Sequence, residues 1–235
     1  MNLSKYYTAT PKDSFCFTRE QGCSFAKDIA GDFNPLHDAA AKKFCIPGDL
    51  LFSISLAKLG VSKKMQFTFS GMVREGIDLS FLHQDNDHLC VVDDQQKEYL
   101  SIQRSGEISQ NPATANNLAR SYVEFSGHTF PHVLVPLMAA KNAMINPTRP
   151  MVIYQSMSID FKHLNFQSLS LEITDTQLNV DGKRGNAVLQ FCFKEAEEIV
   201  GYGEKIMILS GLRAFDEAVI NDVVLQYQSR KQAYA

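Results

Sequence analysis

The stretch Phe25 to Gly60, FAKDIAGDFNPLHDAAAKKFCIPGDLLFSISLAKLG, decides how the rest of the chain is read. Its last third, Asp49 to Gly60, is apolar nearly all round: Leu51, Ser55 and Leu59 share one stripe, with Phe52 and Leu56 beside it. A helix with no polar face is a buried helix, so this segment predicts a helix enclosed by other elements. The middle, Gly31 to His37, has to be a loop, because Asn34 precedes Pro35 and a residue before proline is pushed out of the helical region. That loop holds a carboxylate (Asp32), an amide (Asn34) and an imidazole (His37), and a Pro47-Gly48 step follows it.

Upstream, Ser14 to Thr18 (SFCFT) alternates as a short half-buried strand does. Thr18 is suited to cap a helix that places Phe25 and Ile29 at i and i+4 and ends at Gly31. Downstream, DAAAKKF (Asp38 to Phe44) has high helical propensity and is stopped by Pro47-Gly48. Strands are expected at Met65 to Phe69, Ile77 to Phe81, His88 to Val92 and Tyr99 to Ile102. The first half therefore predicts one long buried helix wrapped by an antiparallel sheet.

Residues 103–120, QRSGEISQNPATANNLAR, are poor in large apolar side chains and read as a linker. It divides the chain into an N-terminal unit over 1–102 and a C-terminal unit over 121–235. The second unit repeats the first in pattern: IPGDLLFSISLA (Ile46 to Ala57) lies over FPHVLVPLMAAK (Phe130 to Lys141), and FSGMVREGIDLSF (Phe69 to Phe81) over FKHLNFQSLSLEI (Phe161 to Ile173). Pro136 makes the second helix start late or kink. Strands at Ala187 to Phe193 and Glu204 to Leu209 would complete the second sheet. Phe215, Val219, Val223 and Tyr227, at helical spacing, predict a packed terminal helix.

The 235 residues are 45% hydrophobic and 21% charged, the balance of a globular protein rather than a disordered one. A net charge of −3 lacks the electrostatic footprint of a general nucleic-acid binder. No apolar run approaches the ~18 residues that span a bilayer, so no membrane partner is expected. Five scattered cysteines without a C-x-x-C pair suggest free thiols in a reducing compartment. A cytoplasmic protein follows as the expectation. His83, Asp85, Asp87 and His88 crowd one segment, but without a metal-ligand spacing they read as a hairpin turn.

Gly31-Asp32-Phe33-Asn34-Pro35-Leu36-His37, followed by Ala41, Phe44, Ile46 and Gly48, resembles the hydratase motif of the MaoC-like family of (R)-specific enoyl-CoA hydratases. The resemblance implies an α+β double hot-dog fold: two repeats, each a long buried helix wrapped by an antiparallel sheet. It also implies syn hydration of a trans-2-enoyl thioester, or the reverse dehydration. By carry-over, Asp32 and His37 hold and activate the water, Asn34 orients them, and the backbone N–H of Gly48 binds the thioester oxygen. The substrate carrier would be coenzyme A or acyl carrier protein, with no cofactor and no metal, and a homodimer is an expected assembly.

The chemistry is consistent with the residues themselves. Hydration of a conjugated thioester needs a base, an acid for the α carbon, and a donor for the enolate oxygen. The second half has no counterpart of Asp32 or His37, so one site per chain is expected, walled in part by the second half. Two other functions stay open at this point: an acyl-CoA thioesterase of the same fold, and a non-catalytic acyl-thioester binder.

Overall fold

A computed structural model describes residues 1–234. The chain begins with a small hairpin of β1 (Thr8–Thr10) and β2 (Ser14–Cys16). Helix α1 (Arg19–Phe25) starts where Thr18 predicts, with a reciprocal cap between Thr18 and Gln21. Residues Ala26–Ala30 extend it as one wider π turn, and Gly31, at φ +61°, ends it in the left-handed region.

The helix expected over Asp38 to Phe44 does not form; the segment runs as turns. Seven residues between two prolines barely repay the cost of nucleating a helix. The carbonyls of Ala39 and Ala41 accept instead from Arg19 Nη1, at 2.8 and 2.9 Å. Helix α2 (Gly48–Leu59) follows and is the buried helix: Leu50 through Leu56 are all buried. Strands β3 (Val61–Phe69), β4 (Ser80–His83), β5 (His88–Val92) and β6 (Glu98–Ser109) complete the first half. Strand β4 starts later than expected because Leu79 pairs with Phe15 of β2. Asp85 turns the β4–β5 hairpin by accepting from the N–H groups of Asp87 and His88, both at 2.8 Å.

The linker expected over residues 103–120 is regular structure. Residues 103–109 finish β6, and Pro112–Gly127 form helix α3, capped by Asn111 with Pro112 in its first turn. Its buried residues are Thr114, Ala115, Leu118, Ala119, Tyr122, Val123, Ser126 and Gly127, a helical stripe made mostly of small residues. Small side chains let α3 approach α2 closely; a composition rule that looks for large apolar residues misses them.

Helix α3 is thus the second half's counterpart of α2, and Phe130 to Lys141 is not. That segment forms α4 (Thr129–His132) and α5 (Leu134–Ala140), followed by β7 (Ala143–Met144). Pro136 lies in the first turn of α5, where its missing N–H breaks no helical bond. Strands β8 (Val152–Phe161), β9 (Ser170–Asp181), β10 (Arg184–Glu195), β11 (Glu198–Ser210) and β12 (Arg213–Ala214) lead to the terminal helix α6 (Glu217–Tyr234).

Eight strands make one antiparallel sheet in the order β4-β5-β6-β3-β8-β11-β10-β9. The order mirrors itself about the β3–β8 seam, where Lys64 pairs with Asp160 and Thr68 with Ser156. Each half therefore supplies a helix followed by four strands, and the β3–β4 connection over Phe69 to Phe81 matches the β8–β9 connection over Phe161 to Ile173. A main core of Phe52, Phe67, Leu118, Tyr122, Phe191 and others fills the space between the helices and the sheet. A second core, around Leu134, Met138, Leu189, Leu209 and Ile220, packs α5, β7 and α6 against the later strands. That side layer, inserted between α3 and β8 and closed by α6, builds one wall of the site.

Candidate active site

The tight loop after α1 is built by its own side chains. Asp32 Oδ1 accepts from Asn34 N–H at 2.9 Å, and Asn34 Oδ1 accepts from Leu36 N–H at 3.1 Å. Both are turn-forming bonds available to Asp and Asn. Pro35 then opens a single 3₁₀ turn that carries His37. Asn34 thus sets the backbone under His37 and makes no side-chain bond to Asp32 or His37 side-chain atoms. His37 Nδ1 is fixed on the carbonyl of Cys45 at 2.8 Å, so it is the donor, and Nε2 faces Asp32 Oδ2 at 3.9 Å.

Burial pushes the His37 pKa down. The Cys45 side chain, the Asp32 carboxylate and the Cys45 carbonyl outweigh it and hold the group at about 9. The imidazole is therefore protonated at neutral pH.

Tyr227 of α6 clamps the same loop from the far end of the sequence. Its hydroxyl accepts from Phe33 N–H and donates to the Gly31 carbonyl, each at 3.3 Å. Burial, with the charge of Asp32 added, raises the phenol to about 12, so it stays neutral. Beneath the loop, Gly127 ends α3 so close to the π turn that a Cβ there would lie 1.8 Å from the Ala30 carbonyl oxygen.

Asp32, Asn34, His37 and Gly48 all line one cavity of about 630 Å³. Its other walls come from β3 (Phe69), α3 (Ser126), the side layer (Leu134, Ile145), β8 and β11 (Tyr154, Lys205, Met207) and α6 (Val223, Tyr227, Arg230). The second half thus contributes wall and no second acid–base pair. Another hollow, about 890 Å³, lies on the outer face of the sheet over exposed Lys64 and Gln66 and half-buried Glu204, away from the loop.

Gly48 opens α2 behind Pro47, which supplies no side-chain cap. The first N–H groups of a helix have no partner in the helix itself, and among the described residues the backbone N–H of Gly48 meets no backbone acceptor. The space beside its Cα is not free for a ligand. A Cβ there would come within 3.1 Å of Phe69 and 3.3 Å of Tyr154, two rings tilted by 34° with centroids 4.4 Å apart. The missing side chain serves aromatic packing.

The next residue joins a group that the reading of the sequence missed. Asp49 Oδ2 accepts from Ser126 Oγ at 2.6 Å, and Ser126 Oγ accepts from Lys205 Nζ at 2.5 Å. Lys205 lies 4.3 Å over the ring of Tyr154, whose hydroxyl meets that of Tyr122. Burial raises the Asp49 pKa against the pull of Lys205 and Ser126, so the carboxylate beside Gly48 is drawn toward its neutral form. Burial likewise lowers Lys205, with Asp49 and Asp32 opposing. One signal for Lys205 was legible: in β11 it shares the inward alternation of Met207 and Leu209, a charge at a core position.

Two helices lying on one mirrored eight-stranded antiparallel sheet define a double hot-dog protein with a cavity at the start of its first buried helix. The family described as "Protein of unknown function (DUF3581)" matches residues 1–218, and the chain belongs to that family. No curated protein matches the sequence. Solved structures similar in fold include a tesB protein of Mycobacterium avium subs paratuberculosis, at 10% identity and TM-score 0.47 over 88% of this chain and 97% of that one. A hot-dog protein of unknown function from Alicyclobacillus acidocaldarius has 7% identity and TM-score 0.47 over 88% and 97%. A MaoC-like dehydratase has 9% identity and TM-score 0.44 over 89% and 99%. Among the described residues no helix is long and apolar enough to cross a membrane.

Proposed function

We propose that this protein hydrates a trans-2-enoyl thioester, or runs the reverse dehydration, with Asp32 and His37 as the acid–base pair. The observation that carries this reading is the 3.9 Å separation of His37 Nε2 and Asp32 Oδ2 on a cavity wall. It is too long for a direct hydrogen bond and suits a single water oxygen bonded to both groups. In hydration, that water adds its oxygen to Cβ and gives a proton to Asp32, while the C=C electrons move toward the thioester oxygen. His37, an imidazolium at neutral pH, delivers its Nε2 proton to Cα from the same face, which makes the addition syn. The proton on Asp32 then returns to His37.

The N–H of Gly48 is the donor for the developing enolate oxygen, and Asn34 keeps the loop in register. Burial raises the Asp49 pKa, and Ser126 donates a hydrogen bond to its carboxylate beside that donor. The reaction needs no cofactor, and the acyl carrier is coenzyme A or acyl carrier protein. Turnover of crotonyl-CoA to 3-hydroxybutyryl-CoA tests the reading. Asp32→Ala and His37→Ala are each expected to lose about 10²- to 10⁴-fold in kcat. Unchanged turnover in both variants refutes it. Release of free thiol would mark a thioesterase instead, and saturable binding without any product a non-catalytic binder.

A further inference from the structure

The cavity has a polar end that hydration of a plain enoyl chain leaves idle. Lys205 is 4% exposed and lines the cavity. Its ammonium has three donors, yet the described residues give it one hydrogen bond, to Ser126, and the face of Tyr154. No carboxylate oxygen comes within 4.0 Å of it among those residues. Asp49 reaches it only through the Ser126 hydroxyl. A buried charge without a direct partner is costly, and one retained on a cavity wall fits a counter-ion that arrives with the ligand.

Two further wall residues also hold unpartnered buried polar atoms, Asp49 Oδ1 and Thr129 Oγ1. Thr129 supplies a hydroxyl donor to that wall. The ionisable groups of the wall are Asp32, His37, Cys45, Asp49, Tyr154, Lys205, Tyr227 and Arg230. The basic side chains His37, Lys205 and Arg230 outnumber the carboxylates Asp32 and Asp49 among them.

Resting on the thioester reading above, we propose that Lys205 binds a carboxylate carried by the acyl group, so that the substrate is the thioester of an unsaturated dicarboxylic acid. The acyl chain then spans from the Asp32–His37 pair to the Lys205–Ser126–Asp49 array, with Met207 and Tyr154 packing its methylenes. The array holds Lys205 in place: Ser126 uses its one proton on Asp49 and turns its lone pairs to the ammonium.

Binding of glutaryl-CoA and of butyryl-CoA, saturated probes that do not react, is measured by calorimetry for wild type and Lys205→Met. Glutaryl-CoA is expected to bind wild type more tightly, and Lys205→Met to lose about 10- to 100-fold on glutaryl-CoA, as for a charge-assisted hydrogen bond. Its affinity for butyryl-CoA should hold, which also shows that the variant is folded. If Lys205→Met does not fold, Ser126→Ala is expected to show the same selective loss on a smaller scale. Equal losses on both probes, or none, overturn the proposal. Hydration of glutaconyl-CoA and crotonyl-CoA by wild type separates the two readings: selective glutaryl-CoA binding without hydration of either substrate sinks the hydratase alone. Hydration of both at equal kcat/KM, with unselective binding, sinks the carboxylate site alone.

Discussion

Replacing His37 by Asn tests the electrostatics of the loop through stability rather than activity. Asn keeps a side-chain N–H near the position of Nδ1 for the Cys45 carbonyl, so the loop retains its hydrogen bond while the titrating group is lost. In the folded protein the imidazole is held at about 9, from an ordinary value of 6.5, and its side chain is only 13% exposed. That difference corresponds to about 3 kcal/mol of preference for the charged form. Because the folded value lies above the unfolded one, the stabilisation is fully present below pH 6.5 and is lost as pH rises through 9.

Urea unfolding of wild type and His37→Asn at half-unit steps from pH 6 to 10, with thiols kept reduced, reads this directly. The stability of wild type relative to the variant should fall by about 3 kcal/mol between pH 6.5 and 9.5. A difference flat to within about 0.5 kcal/mol across the range refutes the argument. Asp32→Asn should lower the His37 pKa, seen by NMR titration of the ring, because it removes one of the charges that raises it.

Three further substitutions probe how the second half holds the first. Tyr227→Phe strips the hydroxyl shared by Phe33 N–H and the Gly31 carbonyl, and thermal or urea unfolding should register a loss of about 1–3 kcal/mol. Gly127→Ala sets a methyl against the Ala30 carbonyl oxygen, so α3 has to move away from the turn that leads into the Asp32 to His37 loop; a cost of about 3 kcal/mol is expected, and an unchanged melting temperature would contradict the close approach. Leu118→Ala, at a fully buried point of α3 in the main core, should cost about 2–5 kcal/mol, whereas truncation of a residue in a flexible linker would cost almost nothing.

The reading of residues 103–120 shows where sequence patterning stops. A strand interior and a helix with large apolar side chains announce themselves, which is why α2, β5, β10 and β11 were legible from alternation and run length. Helix α3 buries Ala115, Ala119, Thr114 and Ser126, residue types equally at home in a loop. Only the presence of α2 alongside makes that small-residue stripe a packing surface. The opposite error, a helix over Asp38 to Phe44, came from propensity without context: local preference lost to the carbonyl bonds that Arg19 makes from α1.

By itself the sequence determined the buried helix α2, the strand segments within β3, β5, β6, β10 and β11, the turn chemistry of the Asp32 to His37 loop and the cap that starts α1, while β8 at the seam went unread. All of these follow from interactions between residues a few positions apart, whose geometry the backbone dictates. The tertiary structure alone decided that Asp32 faces His37 across 3.9 Å, that Tyr227 closes the loop from almost two hundred residues away, and that Lys205 and Asp49 share Ser126. Those pairings are made by the mirrored sheet and the side layer, which bring distant strands and helices to one cavity. Burial there raises the Asp49 pKa and lowers that of Lys205, while at His37 the groups of Cys45 and Asp32 outweigh it, because each shift depends on what the fold places around the group.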